Sequence, residues 1–154
     1  MSKNQFAKYG ISDFDLYLLS EGNHYRIYEK LGAKVKTIDS VKGVRFAVWA
    51  PDAKSVCVVG NFNFWNAESH PMENVMNSGV WALFVPGLKE GETYKYAIKS
   101  KHNNAVHLKA DPFAFQSEIR PRTASVVNSL EDYQWKDKEW LAKREQLNFQ
   151  KSPF

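Results

Sequence analysis

Residues 43–66 read GVRFAVWAPDAKSVCVVGNFNFWN, two strand signals joined by a turn and followed by a loop rich in rings. In the first, Val44, Phe46 and Val48 alternate with Arg45, Ala47 and Trp49, the period of a strand with one face inward, and Pro51-Asp52 ends it. The second, residues 55–59, is a continuous apolar run, which implies a strand covered on both faces. Similar patterns follow. VWALFVPG (80–87) leads into the turn at 87–91, and TYKYAIKS (93–100) sets Tyr94, Tyr96 and Ile98 inward against Lys95, Ala97 and Lys99 outward. Asn103-Asn104 can take the left-handed conformation of a hairpin turn, ahead of strands through Val106 and Leu108 and through 124–127. Some six or seven short strands, with turn signals about every ten residues, predict an antiparallel β-sandwich rather than an α/β fold.

Helical arms flank this region. Residues 12–30 start at Ser12 or Asp13 as N-cap and carry Phe14, Leu16, Leu18 and Leu19 before Gly22 interrupts them. A second helical turn over 24–31 would place Tyr25, Tyr28 and Leu31 on one face. After Asn128, LEDYQWKDKEWLAKREQL (130–147) again has helical propensity, with Trp135 and Trp140 as apolar anchors. The expected organisation is an N-terminal arm over 1–40, a sandwich over 41–128 and a C-terminal arm over 129–154.

Composition narrows the function. The 154 residues, 44% hydrophobic, suffice for one domain with a substantial core. The net charge of +4 comes from interspersed signs, which favours neither nucleic acid nor a membrane surface as partner. The N-terminus lacks the apolar run of a signal peptide and no stretch is long and apolar enough to span a bilayer, so the cytoplasm is the expected compartment. Cys57, the one cysteine, reads as a small core residue.

Catalytic chemistry finds little support. Acids fall mainly in turns (Asp52, Glu90, Glu92) and arms, without the facing pair that glycoside chemistry needs. Asp111, before Pro112, reads as a turn that caps its own backbone. The four histidines show no metal-ligand spacing, so no cofactor or metal is expected. Binding suits the residues better. A pyranose offers a face of C–H groups and a rim of hydroxyls, and residues 61–66 supply both rings and amides. The same rings could instead plug one end of the sandwich. The division expected is Phe62 and Phe64 facing inward and Trp65 outward as a platform beside Asn63 and Lys95. A rival reading takes KGVRFAVW (42–49) as an RNA-binding strand, but its outward positions, Arg45, Ala47 and Trp49, hold one ring where such surfaces use two or three.

At this point the residues resemble a known family. FAVWAPDAKSVCVVGNFNFWN, HPM, GVWALFVPGLKEGETYKYAI and KADPFAF are similar to a family 48 carbohydrate-binding module, an immunoglobulin-like sandwich. YLLSEGNHYRIYEKLGA and EIRPRTASVV resemble the N-terminal part of bacterial 1,4-α-glucan (glycogen) branching enzymes. The resemblance implies a non-catalytic domain that helps position α-1,4-glucan chains in glycogen biosynthesis, a fragment of an enzyme whose (β/α)8 barrel would follow residues 152–154. It implies that α-glucan (glycogen or maltooligosaccharide) and that barrel are partners. By position it implies sugar stacking on Trp65 and polar contacts from Lys95, Thr123 and Ser125. A second stacking residue of such modules falls near Leu108, which offers no π face. The apolar arm residues Tyr25, Tyr28, Trp135 and Trp140 would dock on the barrel.

Overall fold

The computed structural model describes residues 7–130 and 134–146; the parts of the expected C-terminal arm at 131–133 and 147–154 lie outside them. The strand signals become two antiparallel sheets. The first pairs β1 (Gly32–Ile38), β2 (Val41–Trp49), β5 (Val80–Pro86) and β4 (Glu73–Asn74) in that order. The second runs β3 (Ala53–Gly60), β6 (Thr93–Ser100), β9 (Ser125–Val126), β8 (Gln116–Ser117), with β7 (Val106–Lys109) also paired to β6. Between the sheets lie Val44, Phe46 and Val48 of β2, Val56 and Val58 of β3, Trp81 and Val85 of β5, and Tyr94 and Tyr96 of β6. The chain thus has the immunoglobulin-like β-sandwich architecture expected of it.

Strand β1 starts inside the segment expected to be an arm. Gly32 to Ile38 pair with Ala47 to Val41, and the two-residue turn between them puts Asp39 and Ser40 at φ of 49° and 66°. Such a turn favours Asn-Gly; Asp-Ser is a weaker signal, and KVKT shows no apolar alternation, Val35, Lys36 and Thr37 all being exposed. The sandwich therefore begins at Gly32.

The helical expectation over 12–30 resolves into α1 (Asp13–Ser20) and a 3-10 turn at Ile27–Glu29. Ser12 caps α1 reciprocally: the Asp15 amide donates to Ser12 Oγ at 3.1 Å and the Ser12 amide to Asp15 Oδ2 at 2.8 Å. Three residues of 3-10 turn do not make a helix face, so Tyr25, Tyr28 and Leu31 part company: Leu31 is buried while both tyrosines are exposed.

This arm also covers the outer face of the first sheet. Arg45 and Ala47, expected outward, are buried, because Tyr9, Ile11, Leu31, Leu16, Leu19 and Phe113 cover that face of the first sheet around Ala47, Val80 and Ala82. Arg45 donates through Nη1 to the Lys30 carbonyl, while its buried Nε has no partner among the described residues. The rival RNA-binding face is therefore closed. On the outer side of the second sheet, Cys57, Val59 and Ala97 form a smaller cluster with Ala67, so β3 is covered on both faces as its apolar run requires.

Asp111 is more than a turn cap. Its Oδ1 accepts from the Phe113 amide at 2.8 Å, and its Oδ2 accepts from the Tyr94 and Tyr96 hydroxyls at 2.6 and 3.1 Å. Burial raises its pKa and outweighs these three donors. One carboxylate thereby ties the DPFAF segment to the middle of β6.

Candidate functional site

Strand β3 ends at Gly60, where a Cβ would lie 2.2 Å from the Thr93 carbonyl oxygen. Only glycine lets β3 and β6 stay in register as the chain leaves the sheet. Asn61–Asn63 then forms a 3-10 turn, and Phe64 and Trp65 follow with φ of 54° and 59°. The Asn66 amide donates to the Asn63 carbonyl at 3.0 Å, closing a turn with two left-handed central residues, and the Trp65 amide returns to the Gly60 carbonyl at 2.9 Å.

Asn63 holds this turn from inside. Its Oδ1 accepts from the Gly60 amide at 2.9 Å, and Nδ2 lies 3.0 Å from each of the Val58 carbonyl, Ser69 Oγ and His70 Nδ1. Two amide hydrogens cannot serve more acceptors than this buried side chain already has, so Asn63 is a structural residue and not the sugar contact expected of it. Phe62 faces inward as expected, its ring 6.3 Å from Phe46 and 5.4 Å from His70. Phe64 does not: it is 94% exposed.

Trp65 is 37% exposed, and its Nε1 donates to Asn61 Oδ1 at 2.9 Å, which fixes the indole. Lys95 pairs with Val59, one residue from the Gly60 carbonyl that anchors Trp65, and its Nζ donates to Thr123 Oγ1 at 2.6 Å. On the same face Leu108 stands beside Ala97, and Lys99 pairs with both Ser55 and Val106. Lys95, Thr123 and Leu108 thus share the outer side of the second sheet, and the backbone of Trp65 is anchored at the Gly60 end of the neighbouring strand. Ser125 is not with them. It is buried, with Oγ accepting from the Asp111 amide at 2.8 Å, so its alternation along β9 points it into the sandwich.

The residues expected to dock elsewhere are exposed. Tyr25 is 88% and Trp135 73% accessible, with Tyr28 and Trp140 also open to solvent. Arg144 lies 5.0 Å from the Trp140 ring. Beneath the arm a cleft of about 530 Å³ is lined by Tyr28, Glu29, Lys34, Phe115, Asn128 and Leu130. There Lys34 Nζ stands 3.3 Å over the Phe115 ring, and burial with the nearby Arg45 charge lowers the Lys34 pKa to about 8.

Among the described residues no group of three or more His, Cys, Asp or Glu could hold a metal, and no helix is long and apolar enough to cross a membrane. Ser12, Asp15 and His24 do meet, but the Ser12 hydroxyl bonds the carboxylate, as His24 does at 2.9 Å. A serine nucleophile needs the imidazole beside it, so this is a structural pin.

The sandwich and its ring-bearing edge define the class. Residues 30–114 match carbohydrate-binding module 48 (isoamylase N-terminal domain), and the chain belongs to that family. Its relatives are more particular. It is 48% identical over 143 residues to the 1,4-alpha-glucan branching enzyme GlgB of Synechococcus sp. (strain JA-2-3B'a(2-13)), covering 93% of this chain and 19% of the relative. It is 55% identical over 127 residues to GlgB of Picrophilus torridus, covering 82% and 18%. The chain thus spans about a fifth of the length of these relatives. Among solved structures, pullulanase of Klebsiella pneumoniae complexed with maltotriose superimposes with a TM-score of 0.53 at 29% identity, over 66% of this chain and 10% of that one.

Proposed function

We propose that the outer end of the second sheet binds α-glucan, with the Trp65 indole as the stacking platform and Lys95 and Thr123 as hydroxyl contacts, and that the chain serves a branching enzyme by holding α-1,4 chains for α-1,6 branching in glycogen biosynthesis. The observation that carries this is the indole of Trp65, pinned by Asn61 yet open to solvent, on a loop whose backbone returns to the Gly60 carbonyl one residue from the partner of Lys95, itself bonded to Thr123. The flat face takes the C–H side of a glucose unit and the ammonium and hydroxyl take its rim. Leu108 adds apolar contact without a π face, and stacking on the indole contributes on the order of 1 to 3 kcal/mol, as a base stacked on an aromatic does. Titration with maltoheptaose, followed by tryptophan fluorescence, should saturate in the native chain and fail in Trp65→Ala. Unchanged binding by that variant would refute the site.

A docking role goes with it. Tyr25, Tyr28, Trp135 and Trp140 are exposed in a chain that spans a fifth of its relatives' length, and a catalytic barrel is the partner that would cover them. The Tyr28 cleft belongs to this surface. Self-association of the chain, abolished when Tyr25 and Trp140 are changed to Ser, supports docking; a monodisperse monomer that buries these rings counts against it. The compartment proposed is the cytoplasm.

A further inference from the structure

We infer that Phe64 is a second aromatic contact of the same site, one that extends it along the glucan and makes binding depend on chain length. The inference rests on the glucan-binding reading of Trp65. Phe64 contributes to folding neither through its backbone nor through its ring. Its φ of 54° lies in the left-handed region, which disfavours side chains other than Gly, Asn and Asp. Its ring is 94% exposed, so burial does not compensate.

The other paired left-handed residues show the ordinary solution. Asp39-Ser40 uses two small polar side chains, and Met76-Asn77 includes an Asn. The turn at Phe64-Trp65 alone among the three carries two large rings. Strain maintained by surrounding structure is a mark of binding clamps, and here Asn63 supplies that structure through its buried amide.

The geometry selects the occupant. Consecutive left-handed residues send their side chains about 100° apart, the mirror of the α-helical step. A straight polymer lying on Trp65 would leave Phe64 bare. An α-1,4-linked chain curves, which lets a glucan on the indole meet a second ring set at such an angle. Hydroxyl partners stand on both sides: Asn61 Oδ1 is engaged by Trp65 and Asn66 Oδ1 by the Glu68 amide, which orients both exposed amides and leaves their NH2 groups, unpartnered among the described residues, facing solvent. A maltotriose covers Trp65; a maltoheptaose reaches both rings. Phe64 thereby takes up the role that Leu108 cannot fill.

The test is calorimetric titration of the native chain, Phe64→Gly, Phe64→Tyr and Trp65→Ala with maltotriose and maltoheptaose, with a melting curve for each. Glycine removes the ring and suits the left-handed backbone, so Phe64→Gly should melt no lower than the native chain. It should weaken maltoheptaose about five- to tenfold, for one partly engaged ring, and change maltotriose less than twofold. Phe64→Tyr should keep native affinity for both. If Phe64→Gly binds maltoheptaose as the native chain does while Trp65→Ala loses it, the Trp65 site stands and the role of Phe64 is overturned. Equal losses for both sugars with a lowered melting temperature make Phe64 a packing residue and overturn it as well. Native affinity in Trp65→Ala, or no binding by the native chain, overturns both readings.

Discussion

Lys95 Nζ donates to Thr123 Oγ1 at 2.6 Å, so the two polar groups assigned to the glucan face hold each other before any sugar arrives. The ammonium keeps two further hydrogens, and the hydroxyl, while accepting, keeps its own to donate. Lys95→Met should weaken maltoheptaose binding by about 1 to 2 kcal/mol through lost charge-assisted hydrogen bonds. Thr123→Val should cost less, because the lysine remains. Titration calorimetry of both and of the double variant would show coupling between them, with melting temperatures close to native.

Asn63 should behave differently from its neighbours. Asn63→Ala strands the Gly60 amide and the Val58 carbonyl, and about 2 to 3 kcal/mol of stability should go with them. The loss would appear in urea denaturation without sugar. Glucan affinity would fall too, since the Phe64-Trp65 turn loses its anchor.

Asp111→Ala leaves two buried tyrosine hydroxyls without their acceptor and should destabilise by about 3 kcal/mol. Asp111→Asn keeps one acceptor oxygen and should cost less. The denaturation midpoint of each variant gives the order.

Acid should expose the arm's pin. Burial by itself would raise the Asp15 pKa, but hydrogen bonds from the Ser12 amide and hydroxyl, His24 and Lys30 outweigh it and hold the carboxyl well below its usual range. This stability is present above about pH 4 and is lost as pH falls below it. Asp111, its pKa raised by burial, has the opposite sign: its contribution is recovered as pH falls from its folded pKa toward about 4. Urea midpoints at pH 5 and pH 3 should therefore fall steeply in the native chain and much less in Asp15→Asn.

Lys34 gives an alkaline counterpart. With its pKa lowered to about 8 by burial and Arg45, the folded state prefers the neutral amine, so this residue's penalty is relieved as pH rises from 8 toward 10. Acetylation with a limiting reagent, read by mass spectrometry across that range, should reach half its plateau at Lys34 near pH 8.

What the sequence determined by itself was local. Alternation fixed β2 and β6, an apolar run fixed β3, Asn104 with its φ of 55° closed the β6–β7 hairpin, and Ser12 set the start of α1, since each depends on neighbours a few residues away. The ring-rich loop and the outward register of Lys95 were also legible there. Only the tertiary structure decided burial. Arg45 and Ala47 lie inward because an arm some thirty residues earlier folds back over them, and Ser125 lies inward because Asp111 reaches it across the sheet. Asn63 and Phe64 exchanged their expected places for the same kind of reason: Asn63 ends a 3-10 turn and Phe64 begins a left-handed one, so the backbone changes hand between them and turns the first side chain into the protein and the second into water, which no pattern of polarity encodes.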